Sequence, residues 1–259
     1  VRPAGLSWRK HSLKIPPARS NPPADAAHPE RGAGSLLGVG GRMMQFMKDA
    51  AEFMPILLEG AKLTILVTLG SLALSTVLGL VWALMRVSGN KYLSGFSAGL
   101  VNLLRGIPII VLLFYIYFVM PDMVVSLSAV HAAIIGLGVA YSAYQAENFR
   151  AGIQAIDRGQ IEAAMAMGMG WGLTMRRVVL PQAVKIVLPP YGNIMIMMLK
   201  DSSQASTITV AELALQGKLI AVSTFKNATV FTLVALMYLV MCVPLILLVR
   251  HLEKRSATK

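Results

Sequence analysis

The chain has 259 residues, of which 56% are hydrophobic and only 14% charged, whereas soluble domains carry about a quarter charged residues. That balance excludes an ordinary globular domain and calls for lipid around most of the chain. The net charge of +12 does not mark a nucleic-acid surface, because the basic residues stand between apolar runs or near the amino end and are not interleaved with aromatics.

From Val1 to about Gly41 the chain is rich in Pro, Gly, Ala, Ser and Arg, with Pro16-Pro17 and Pro22-Pro23 and no sustained periodicity. Such a composition predicts disorder. It has no continuous apolar core of the kind a signal peptide needs. Met43 and Met44 stand where the membrane pattern begins, so residues 1–42 are expected to be a disordered extension or the product of a start placed too far upstream. Residues 43–60 read as an interfacial lead-in.

The first span is expected from Ala61 to Met85, with Lys62 and Arg86 at its edges. A second runs from Ser97 to Met120 and is interrupted near its start by Arg105-Gly106-Ile107-Pro108, a charge beside a helix breaker. The third runs from Val124 to Tyr144 and leads into Glu147. The fourth runs from Ala183 to Lys200-Asp201 with Pro189-Pro190 inside it, and the fifth from Ala228 to Val249. Ile208 to Val222 is too polar to cross lipid and reads as a surface or partly re-entrant helix.

Arg150, Arg158, Arg176 and Arg177 lie in the long polar loop between the third and fourth spans. The positive-inside rule therefore puts that loop, Arg86, Lys91 and the basic carboxy end in the cytoplasm. Five spans then place the amino end outside. The basic residues before Lys62 conflict with this, and a later start would remove the conflict.

The same loop, about 157–181, carries the most specific signal. Asp157 is expected to cap a short helix with Gln160 in a capping box. Gly168, Gly170 and Gly172 end it, and a second short helix stops at Pro181. Ile161, Ala164, Met165 and Gly168 fall on one small, apolar face, which predicts a partner for it.

Glu162-Ala163-Ala164, Gly168, Val178 and Leu180-Pro181 resemble the EAA loop of binding-protein-dependent ABC importers: EAA, three residues, Gly, nine residues, an aliphatic, one residue, then LP. LLRGIPIIVLLFYIYF from Leu103, AYQAENFRAGI from Ala143, VVLPQAVKIVLPP from Val178 and LKDSS from Leu199 are similar to the polar-amino-acid branch. Ile107 and Ser202 stand where that branch commonly has Thr.

The resemblance implies an all-α polytopic permease of the type I, MetI-like fold, with its domain over residues 61–255. It implies that the loop docks on a separate ATPase, with Glu162, Ala163, Ala164, Gly168 and Pro181 as the coupling residues. The implied partners are two ABC ATPase subunits, a second copy or sister permease, and a periplasmic or lipid-anchored solute-binding protein, all at the bacterial inner membrane. The implied solute is a polar amino acid, with an ectoine-like compatible solute as the alternative.

No GxxxxGK[ST] sequence exists here, so ATP is expected on the partner and no cofactor on this chain. A membrane-embedded enzyme would need paired carboxylates or His clusters within the spans, and a channel would lack the docking loop. His131, the lone His in a span, is expected to bond a neighbouring helix. Cys242 is expected to pack as a small hydrophobe, and the sequon Asn227-Ala228-Thr229 is discounted. Charges next to span breaks tend to face water-filled cavities, which makes Glu147, Lys200 and Asp201, with Tyr144, the candidates for the translocation path.

Overall fold

The computed structural model describes residues 38–123 and 126–257. The rest of the expected extension before residue 38, and Val124 at the expected start of the third span, lie outside the described residues. The chain divides into Val1–Phe46 and Met47–Lys259. In the first unit the described residues are helical from Val39 onward, so the disorder expected up to residue 42 does not extend over 39–42. The second unit holds the helical bundle.

Helix α1, Val39–Val87, joins the expected lead-in to the first span without a break, although Pro55 lies inside it. Its hydroxyls bond back along the helix: Thr64 to Gly60 O, Thr68 to Thr64 O and Thr76 to Leu72 O. With no water in lipid, this back-bonding lets a span carry hydroxyl side chains.

Asn90 caps α2, Lys91–Gly106, accepting from the N–H groups of Tyr92 and Leu93. Ile107 and Pro108 are extended, and α3, Ile109–Met123, leaves at 98° to α2. The expected second segment is therefore two helices with a sharp bend. Proline lacks the N–H that would continue α2 and disfavours helical backbone at Ile107.

Inside α3 the turn Tyr115–Val119 is a π-helix, closed by Met120 N–H on Tyr115 O. The same device recurs in α6, Trp171–Ile208, where Met175–Val179 is π and Leu180 N–H reaches Met175 O. Each wide turn sits just before a proline, Pro121 or Pro181. Proline offers no donor and its ring crowds the carbonyl four residues back, and the five-residue spacing accommodates both demands. The expected stop at Pro181 is thus corrected: the helix begun at Trp171 runs through it.

Helix α4, Ala129–Gln154, is the centre of the bundle. Its buried face of Ala132, Ala133, Gly136, Ala140 and Ala143 packs against α2, α3 and α6. Helix α1 joins it through Ser71 Oγ to Ile134 O and Trp82 Nε1 to Ser142 Oγ. Gly79 brings α1 close, since a Cβ there would stand 2.6 Å from Gln145 Cβ. His131 does not bond a neighbouring helix; its Nδ1 pairs with Ser128, the cap of its own helix, at 2.7 Å.

Helix α5 is Arg158–Ala166, α7 is Leu213–Thr224 and α8 is Asn227–Ala257. Helices α1 and α8 are each long and apolar enough to cross a membrane, and the bent pairs α2 with α3 and α6 with α7 raise the number to four. At 26 residues, α4 is about 39 Å long and exceeds the roughly 30 Å hydrocarbon core. It tolerates more polar side chains than the others because neighbouring helices, not lipid, enclose it.

Candidate functional site

At the short helix α5, Asp157 Oδ1 accepts from Gly159 N–H at 2.6 Å. The expected capping box does not close. Gln160 Oε1 instead accepts from Gln182 Nε2 at 2.6 Å, tying α5 to α6. The far end is a Schellman motif: Gly168 N–H bonds Met165 O and Met169 N–H bonds Ala164 O. Gly168 sits at φ +81°, a left-handed conformation natural to glycine.

The predicted apolar face divides in two. Ile161 packs on the cluster of Ile156, Val179 and Ala183, and Ala164 is buried. Both therefore hold the loop against the chain's own helices, which corrects their reading as partner-facing residues. Glu162, Ala163 and Pro181 are exposed, as are Met165, Trp171 and Met167, the last at 83%. Apolar side chains on both sides of Gly168 in the chain are thus exposed.

The path candidates separate into two groups. Tyr141 donates its hydroxyl to Asp201 Oδ2 at 2.6 Å, its ring lies 5.8 Å from that of Tyr144, and the Arg105 guanidinium stands 5.7 Å above Tyr144. One chain of contacts therefore runs from a cation at the α2–α3 bend, across two tyrosines, to an anion where α6 tightens into its final 3₁₀ turns. Lys200 is exposed beside Asp201. Among the described residues no ion pair joins the two, as the 100° step between helix neighbours leads one to expect.

Glu147 belongs elsewhere. Its carboxylate takes Arg150 at 2.6 Å and Arg86 at 3.3 Å, locking the end of α1 to α4. An apolar cleft of about 360 Å³ among α1, α4 and α6, lined by Leu80, Phe149, Val184 and Val187, offers almost no polar surface to a zwitterion.

Sequence reasoning passed over Arg105 and Tyr141 as path residues, although a charge within a span was a signal for the first. It also passed over Glu212, which is fully buried. Glu212 accepts from Ala214 N–H and Leu215 N–H at 2.9 Å each, from Tyr238 Oη at 2.9 Å and from Thr64 Oγ1 at 3.4 Å. One carboxylate thus caps α7 and pins it to α1 and α8. At the α7–α8 turn, Lys226 Nζ meets Asp49 Oδ1 at 2.8 Å. This hydrogen bond holds the ammonium above the usual lysine range.

Residues 75–258 match the family model described as binding-protein-dependent transport system inner membrane component. The chain is 37% identical over 210 residues to a probable amino-acid ABC transporter permease, YckA of Bacillus subtilis, covering 81% of this chain and 93% of that one. It is 34% identical to the glutamine transport system permease GlnP of Escherichia coli, covering 78% and 93%. A crystal structure of an amino acid ABC transporter with histidines superposes with a TM-score of 0.75 at 34% identity, covering 80% of this chain and 97% of that one. The inward-facing methionine transporter MetNI, at 23% identity and a TM-score of 0.69 over 78% and 97%, shares the fold.

Proposed function

The chain belongs to the family of binding-protein-dependent transport system inner membrane components, and from that premise we propose that it forms the solute path of an ATP-driven importer for a polar amino acid. It is a transport component, not the ATPase. The observation that carries the coupling is the α5 turn: Gly168 reverses the chain while Met167 and Trp171 stand exposed beside it. Those apolar side chains fit a groove on a separate ATPase subunit, with Glu162 and Ala163 also exposed. Gln160 and Ile161 hold the lever to α6, so a push on α5 is transmitted into the bundle.

Two copies, or this chain with a sister permease, enclose the path, with two ATPases on the cytoplasmic side and a solute-binding protein outside. The amino end lies outside and the coupling loop and carboxy end inside, the arrangement that the arginines of the loop favour. Solute selection falls to the line from Arg105 through Tyr144 and Tyr141 to Asp201. It offers a cation for a carboxylate and an anion for an ammonium, with Lys200 at its edge. The relatives named for amino acids and glutamine support this class over an ectoine-like solute.

The test is uptake of labelled polar amino acids and ectoine by proteoliposomes holding the permease, its ATPase and its binding protein. ATP-dependent accumulation of an amino acid, abolished by Gly168→Asp with insertion intact, is expected. Accumulation of ectoine alone would overturn the solute class, and undiminished transport by the variant would overturn the coupling role.

A further inference from the structure

Phe225 stands 86% exposed, more than any other large apolar side chain among the described residues, in the turn between α7 and α8. Its φ is +59°, and its N–H bonds Ala221 O at 2.9 Å. This is the left-handed helix ending in which glycine is usual, so a bulky aromatic is held there against its backbone preference.

The turn is pinned as well. Lys226 Nζ bonds Asp49 Oδ1 at 2.8 Å and lies 5.7 Å from the Phe53 ring, so the next residue is fastened to α1. The flanking Val222 and Ser223 are exposed and uncharged. Helix α6 leaves the coupling loop, α7 and the turn follow, and α8 returns toward Arg250 and Lys254. Phe225 therefore lies on the membrane face opposite the coupling loop.

We propose that Phe225 is an anchor for the solute-binding protein, which buries the ring in an apolar pocket when it docks on the outer face. The inference rests on the transport reading above, in which such a protein delivers the solute from that side. A rigid, exposed aromatic whose charged neighbour, Lys226, is already paired with Asp49 has the character of an interface hot spot. A lipid anchor needs no fixed presentation, since aromatic belts are defined by depth alone, and here the neighbouring cation is engaged by Asp49 rather than left for phosphate headgroups.

The experiment measures ATP hydrolysis by the assembled transporter in lipid nanodiscs, titrated with its solute-loaded cognate binding protein, for wild type, Phe225→Gly and Phe225→Asp. Glycine relieves the left-handed strain, so loss of folding does not confound the result. The half-saturating concentration of binding protein is expected to rise roughly ten- to thirty-fold in both variants, with hydrolysis in its absence unchanged and the melting temperature of Phe225→Gly equal to or above wild type. A half-saturation within about two-fold of wild type overturns the proposal. If that result comes with lower thermal stability in bilayer but not in detergent, the ring is a lipid anchor. Absence of any stimulation in the wild type overturns the transport reading, and this inference with it.

Discussion

Replacing Gly168 with Asn, Ala and Val grades backbone strain at the end of α5 while adding little contact. Gly168 has φ +81° and no atom within 4 Å of where a Cβ would stand, so a substitution meets no clash and its cost is conformational. An L-residue in this region costs about 1–2 kcal/mol. Asn tolerates it best and a β-branched residue least. Alanine should then lower the ratio of formed to open Schellman-ended loop roughly five- to thirty-fold, Asn less and Val more. Two observables report this: hydrogen exchange at the amides of Gly168 and Met169, which close the motif, and the ratio of solute imported to ATP hydrolysed in proteoliposomes. Coupling should fall in the order Asn, Ala, Val. Gly168→Asp shares the backbone tolerance of Asn but adds a charge, so the difference between those two isolates the contact with the ATPase. Equal coupling in Asn and Val, with exchange at both amides unchanged, would refute the lever argument.

Glu212→Ala removes the acceptor for two backbone N–H groups and the Tyr238 hydroxyl. It should destabilise the permease by about 3 kcal/mol, read as a lowered melting temperature in detergent, and an unchanged melt would show that water replaces the carboxylate. Asp201→Asn and Lys200→Ala should weaken solute-stimulated hydrolysis with assembly intact. Glu147→Gln should leave solute affinity unchanged and cost roughly 1 kcal/mol of stability through its partly exposed pairs with Arg86 and Arg150; an affinity loss confined to Glu147→Gln would reverse these assignments. A chain beginning at Met43 should insert and transport as the full chain does, and failure to insert at matched expression would make the preceding residues functional.

The sequence by itself determined the class of the protein. Apolar runs of spanning length are a one-dimensional property, and so is the spacing from Glu162 through Gly168 to Pro181, because helix caps and turn glycines act within a few residues of themselves. Breaks at Ile107-Pro108 and after Met167 were legible for the same reason. What the side chains face was not. Ile161 and Ala164 share an apolar face with Met165 in the pattern, yet only the packing of α5 on α6 turns the first two inward and leaves Met165 exposed. Pro181 reads locally as a stop, and only the π-turn before it carries α6 onward. Glu147 and Asp201 look alike as charges near span breaks. Arg86, sixty-one positions from Glu147, claims one, and Tyr141, sixty positions from Asp201, orients the other. Glu212 is local only as the cap of α7; its burial is not, since its other partners Thr64 and Tyr238 come from helices at opposite ends of the chain. Burial of a charge is decided by what surrounds it, and the surroundings exist only once distant helices have packed.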